Sequence, residues 1–221
     1  MNWYKTFQKR ESIDDFYMKA IKSQDLVTVK RLIDKAANTA GYTLETEHQT
    51  IEIFTEFSAG EFGFHMGKLP PGMLGKTMSL RIRLKNPLRL HDLGVWEPDE
   101  VLGFLWQKDV IDDEELSNAR SELEYGRTQV FSDRLTDENA KKDLIDYKKA
   151  YYELSSIVRE LIKSKGYDGI IYNNKAEGYE ESYIVFDSNQ IKSGDLITYD
   201  NKGDIIPISL RFDFTNSDIR W

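Results

Sequence analysis

Hydrophobic and polar positions alternate along this chain with two periods, and the changes between them mark its elements. From Asp25 to Ala40 the apolar residues Leu26, Val29, Ile33, Ala36, Ala37 and Ala40 recur at helical spacing, and Gly41 stands where a helix would stop. Before it, Ser12 followed by Asp15 predicts a capped helix running to about Ser23. The phrase "YTLETEHQTIEIFTEF" alternates enough to predict one or two strands, and the Gly- and Pro-rich "GKLPPGMLGKT" after it predicts a loop. "MSLRIRLKNPLRL" is the clearest strand. Its Leu80, Ile82 and Leu84 are expected on one face and Arg81, Arg83 and Lys85 on the other, with Asn86-Pro87 ending the run.

Helical spacing returns over Glu97 to Gln107, Asp112 to Glu124, and a long stretch from about Glu138 to Lys165. On the last, Leu144, Tyr147, Tyr151, Leu154, Val158 and Leu161 form one stripe, and Gly166 is placed to cap it. "YDGIIYNN", "SYIVF", "LITYD" and "IIPISLRF" then predict closing strands, with "DNKGD" as a hairpin signal. Helices flanking and interrupting a mainly antiparallel sheet predict an α+β fold.

Composition narrows the class. A chain of 221 residues suits one domain with an appended helical segment. Cysteine is absent, which excludes disulfides, thiolate zinc sites and thiol nucleophiles. Thirty basic against 38 acidic residues give a net charge of −8, which argues against a broad phosphate-binding face. No apolar run approaches the length of a membrane span, and "MNWYKTFQKRESIDDF" has no signal-peptide pattern, so a cytoplasmic protein without a membrane partner is expected.

Candidate chemistry is sparse. Of the three histidines, His91 in "RLHDLG" reads as a solvated loop residue, while His48 and His65 fall on predicted strands beside small or polar neighbours. None has the spacing of a zinc site, so no metal is expected. The chain has no G-x-x-x-x-G-K-S/T, no G-x-G-x-x-G and no G-x-S-x-G. The acidic run at Asp112 reads as a helix start favoured by the macrodipole, and "KAEGYEES" reads equally well as a solvated loop.

Successive phrases nevertheless resemble one family in order and spacing. These are "LIDKAANTAGY" before His48-Gln49-Thr50, "FTEFSAGEFGFHMG", "SLRIRLKNPLRLHDLG", "GYDGIIYNNKAEGYEESYIVFDSNQIKS" and the tail "FTNSDIRW". The chain resembles the ADP-ribosyltransferase domains found inside polyvalent proteins of phages and mobile elements and in related capsid-associated toxins. It is distantly similar to poly(ADP-ribose) polymerase catalytic domains.

The resemblance implies a split fold of two small antiparallel sheets over residues 42–221. Residues 1–41 would be an N-terminal helical extension, with a helical insertion at about 97–165. It also implies NAD as substrate without a metal, and transfer of ADP-ribose to a macromolecule, more simply a protein than a nucleic acid given the acidity, in a bacterial cytoplasm. NAD hydrolysis and a non-catalytic module that binds NAD, a nucleotide or a host protein are the alternatives.

By the same resemblance His48 would bond the adenosine ribose, with Gln49 and Thr50 beside it. Phe64 or His65 would stack on nicotinamide, and Tyr172 and Ser182 would line the closing strands. Two departures stand out. Gln49 replaces a glycine, and Ser182 occupies the position of the family's catalytic glutamate. Glu181 lies one residue early and would need a bulge to face inward. Glu177, in the preceding Glu-Gly pair, is the second candidate carboxylate, and His65 would complete the catalytic group.

Overall fold

In the computed structural model the described residues are 11–58, 62–68, 75–94, 96–131, 140–175 and 180–221, with 129–131 and 140–150 described as helix backbone. The architecture is α+β, with five helices and two mostly antiparallel sheets among these residues. Helices α1 (Ile13–Lys22) and α2 (Leu26–Ala40) lead in. Ser12 and Asp15 close a capping box at the start of α1, and Gly41 ends α2 with φ 88°.

Strands β1 (Leu44–Thr50), β2 (Phe64–Met66), β3 (Lys76–Ile82) and β4 (Leu88–Arg89) follow. After them come α3 (Pro98–Gln107), α4 (Asp113–Phe131), α5 (Ala140–Ser164), β5 (Gly169–Asn173), β6 (Glu181–Val185) and β7 (Ile191–Ser193). One sheet has the order β1-β3-β7, the other β2-β6-β5-β4, and β4–β5 is the one parallel pair.

The sheets face each other across a shared core. Met78, Leu80, Ile82 and Ile191 from the three-stranded sheet pack with Phe64, Met66, Ile171, Tyr183 and Val185 from the four-stranded one. Strand alternation sends Ile170, Tyr172 and Ile184 to the other face of the second sheet. There they meet Val101, Leu102 and Leu105 of α3, Leu123 of α4, and Leu154, Val158 and Ile162 of α5. A third cluster joins α1 and α2 to Tyr42, Ile208 and Phe212.

Four sequence expectations change. The alternation after Thr50 does not continue as strand, and residues 51–58 run irregularly. "LITYD" and "IIPISLRF" supply one isolated bridge, Tyr199–Ile205, and a 3-10 turn at Ile208–Leu210 rather than a strand hairpin. Arg81, expected on a solvated face, is 5% exposed and bonds Asp34 of α2 and Glu45 of β1 (2.7 Å to the latter), because α2 covers that face of the sheet. The α5 stripe buries Leu154 and Val158 but adds Ile162 in place of the half-buried Leu161, as 3.6-residue periodicity drifts round the helix. Glu138 lies outside the described residues, and so do the side chains of Leu144 and Tyr147.

Candidate functional site

The two sheets touch where β1 runs past β2, the edge strand of the four-stranded sheet. Gly67 N–H donates to the Glu47 carbonyl (3.0 Å), and the His48 ring bonds the His65 carbonyl through Nδ1 (3.1 Å). A carbonyl only accepts, so the His48 proton resides on Nδ1 and Nε2 is left as an acceptor. Burial lowers the His48 pKa, against the raising effect of that carbonyl bond.

The histidine on β2 is different. Alternation turns the His65 ring to the face opposite Phe64 and Met66, where it meets Trp96 edge-on at 6.2 Å. Its Nε2 is buried with no hydrogen-bond partner. Burial first, and then the neighbouring His48, push its pKa down to about 4. A buried orphan acceptor or donor costs about 1–3 kcal/mol, and a ligand group could satisfy it.

Two glycines make this edge possible. Gly63 has φ 152°, and a Cβ there would stand 2.3 Å from the Val185 carbonyl oxygen. A Cβ on Gly67 would stand 2.4 Å from Ser182 Oγ. Beside β2 opens a cleft of about 480 Å³, lined by His48 and His65, by Phe54, Phe57 and Phe64, by Tyr152 of α5, and by Glu56. That volume lies within the roughly 300–1,000 Å³ range of small-molecule sites. The rings interlock edge to face: Phe54–Phe57 at 4.7 Å, Phe57–Phe64 at 5.3 Å, and His48–Phe57 at 5.2 Å.

The other predicted site residues divide between this cleft and elsewhere. Ser182 pairs with Tyr172 and shares the His65 face, buried to 3% exposure against Gly67. Tyr172 stacks edge-on with Trp96 at 4.8 Å and is buried behind the strand. Thr50 follows His48 on the same face but is no part of the cleft wall, and its hydroxyl donates to the Glu52 carbonyl (2.9 Å). Gln49 points away from His48, beside Gly75, so the side chain that replaces a glycine does not crowd the cleft.

Strand β6 pairs continuously with both neighbours, so no bulge re-aims Glu181. Its carboxylate lies on the face opposite Ser182, exposed, and accepts from Arg89 at 2.8 Å. That bond and the accompanying charge raise the Arg89 pKa. Glu177 lies outside the described residues. His91 is exposed and rests against Phe104, ring centres 3.7 Å apart.

Sequence reasoning missed Phe54, Glu56, Phe57 and Tyr152. The first three lay in a phrase that alternates like a strand, and Tyr152 falls beside the buried stripe of its helix. Among the described residues no group of three His, Asp or Glu side chains comes together to hold a metal, and no helix is long and apolar enough to cross a membrane. No family model matches the chain, and no curated protein or solved structure shows significant similarity to it.

Proposed function

We propose that the chain is an ADP-ribosyltransferase-like domain that binds NAD where its two sheets meet. The observation that carries this reading is the His48–His65 junction. The His48 ring of one sheet bonds the His65 carbonyl of the other beside an aromatic cleft, with an acceptor nitrogen on His48 and an orphan nitrogen on His65. The cleft suits the nicotinamide-ribose half of a dinucleotide: flat rings for a flat ring, and imidazole nitrogens for ribose or amide groups. Its described lining holds no Lys or Arg for the pyrophosphate, so the phosphates would extend outward from the cleft.

The arrangement favours gripping NAD over transferring ADP-ribose. Transfer passes through an oxocarbenium-like transition state that a nearby carboxylate stabilises. Ser182 brings no charge to the His65 face, and Glu181 is paired with Arg89 on the other face. One observation supports the second reading, mono-ADP-ribosyl transfer to a protein of a bacterial host: an acidic residue, Glu56, is among those that line the cleft. The acidic net charge of −8 favours a protein acceptor over a nucleic acid.

Calorimetric titration with NAD tests the binding. The wild-type protein is expected to bind, and His48→Ala to weaken binding by about 1–3 kcal/mol through the lost ribose bond. Equal affinity in the two proteins, or no binding to wild type, would sink the proposal. Incubation with labelled NAD and a bacterial lysate then separates the uses. Labelled protein means transfer, nicotinamide release alone means hydrolysis, and neither means a binding module.

A further inference from the structure

Strand β3 is longer than its partner on one side. It pairs with β1 over its whole length, Lys76–Ile82, but with β7 only from Leu80 to Ile82. The Gly194 N–H adds a last bond to the Ser79 carbonyl (2.8 Å). In an antiparallel ladder successive residues turn their N–H and C=O groups to opposite neighbours. Ser79 is bonded by Gly194, and Arg83 N–H donates to the Gln190 carbonyl, so the odd-numbered residues of β3 face the β7 side. Glu47 of β1, across from Ser79, turns its carbonyl away from β3 to Gly67, in agreement with that parity. Thr77 therefore directs its N–H and C=O past the end of β7, and neither has a partner among the described residues.

A pocket of about 360 Å³ opens at that place, lined by Thr77 and Ser79 of β3 and by residues 195 and 197–199 of the segment after β7. Ile53, Met78, Ile197 and Ile219 contribute apolar lining, and Ile53 and Tyr199 remain 56% and 49% exposed. Two lining residues are charged. Arg220 is held by Asp218 (2.6 Å) and by the Tyr199 carbonyl (3.2 Å). The Asp195 carboxylate accepts from the Ser193 hydroxyl (2.9 Å) and has no ion pair among the described residues, since Arg211 bonds the Asp195 carbonyl instead (2.8 Å). An unpaired strand edge, apolar lining and a carboxylate without a counter-ion thus coincide, in a chain of net charge −8.

We propose that this pocket is a strand-addition site. An extended segment of a partner protein, with an apolar residue flanked by Lys or Arg, pairs with β3 along the line that β7 leaves open. An unpaired edge is a template for another chain, main-chain bonds supply the affinity, and side-chain pockets supply the choice. Thr77 N–H and C=O pair with one residue of the segment, the isoleucines receive its apolar side chain, and Asp195 attracts a flanking cation. A carboxylate on an acidic protein favours a basic partner and repels an acidic one. The open edge lies on the side of β3 turned away from β1 and His48, and strand addition there needs no NAD.

The test is an NMR titration with the end-capped peptide Lys-Thr-Val-Thr-Lys, followed through the amides of residues 76–79 and 193–199. Wild type is expected to shift at those amides, to bind Glu-Thr-Val-Thr-Glu more weakly, and to lose that preference in Asp195→Asn. Thr77→Pro removes the free N–H and keeps every bond of β3 to β1, because proline is tolerated where a strand's N–H faces outward. It is expected to weaken the Lys peptide by about 3- to 10-fold, the range of one hydrogen bond. Should Thr77→Pro not fold, the Lys peptide methylated at every amide nitrogen takes its place, with loss of binding to wild type expected. Absent shifts, equal binding of the two peptides, or a preference that Asp195→Asn leaves intact overturns the proposal. Undiminished binding to Thr77→Pro, or by the methylated peptide, overturns it too. So do equal shifts with free lysine, which would mark an amine pocket, and shifts on dilution of the protein alone, which would assign the edge to a second copy.

Discussion

At the scale of single residues, His65 is the side chain most altered by its surroundings in the candidate site. Its pKa falls from 6.5 to about 4, with burial the larger cause and His48 the smaller. The sign of the linked stability follows. Between those two values the unfolded chain binds a proton that the folded one refuses, so acidification favours unfolding. The contribution is complete above pH 6.5 and is lost as pH falls towards 4, with a ceiling on the order of 3 kcal/mol. Denaturant unfolding of wild type and His65→Leu at pH 7 and pH 5 measures it. The wild-type protein is expected to lose more stability than the variant over that interval. Equal losses would mean that the imidazole is solvated. The glycines at 63 and 67 belong to the same scale, because each clears space that a backbone carbonyl or a serine hydroxyl already occupies.

Among the elements, β7 carries a buried charge into its contact with the C-terminal segment. Lys192 is 1% exposed, and its ammonium donates to the carbonyls of Asn216 (2.7 Å) and Asp218 (3.0 Å). Burial lowers its pKa from 10.5 to about 8 despite the attraction of Asp213 and Asp218. Here the folded state gives up its proton first, so between pH 8 and 10.5 the unfolded chain binds more protons and stability rises with pH. Tyr17 and Tyr42, whose pKa values are raised by burial, act in the opposite sense above about pH 10. The comparison is therefore with Lys192→Met, between pH 7.5 and 9.5. Wild type is expected to gain stability relative to the variant across that window, and parallel profiles would contradict a desolvated ammonium. The same segment reaches Thr55 and Glu56 through Ile219 and Ser217, so β7 connects to the cleft rim.

For the whole molecule, the four-stranded sheet is the shared wall of two cores. Ile170 and Ile184 face the helices α3, α4 and α5, while Ile171 and Val185 face the other sheet. Loss of packing on one face therefore disturbs the wall that supports the other. Ile184, with no exposed surface, is the natural probe. Ile184→Ala is expected to cost about 2–5 kcal/mol and to leave one cooperative transition. Near-ultraviolet signals from Trp96 and far-ultraviolet helix signals should fall together. Separate midpoints would show that the sheets and the helical layer unfold independently.

How far the sequence alone determined this protein depends on the range of the interaction concerned. The capping box of Ser12 and Asp15, the stop at Gly41, the core strand around Leu80 and Ile82 and the buried line of α5 all rest on contacts between near neighbours, which spacing and residue type reveal. His48 and His65 could be placed on strands for the same reason. Their meeting could not, because it needs the edge of one sheet to lie against the other. Arg81 reads as a solvated position until α2 brings Asp34 over it, 47 residues away in the chain. Glu181 reads as a candidate that a bulge could turn to the Ser182 face until Arg89, 92 residues earlier, pairs with it on the face it shares with Tyr183. Residues 51–58 read as strand, yet they bend to form the aromatic wall because Ile219 and Ser217 tie them from the far end of the chain. Periodicity records which side of an element a residue occupies. Whether that side meets water, a core or a ligand is decided only when distant segments pack against it, since burial and charge pairing are properties of the assembled surfaces.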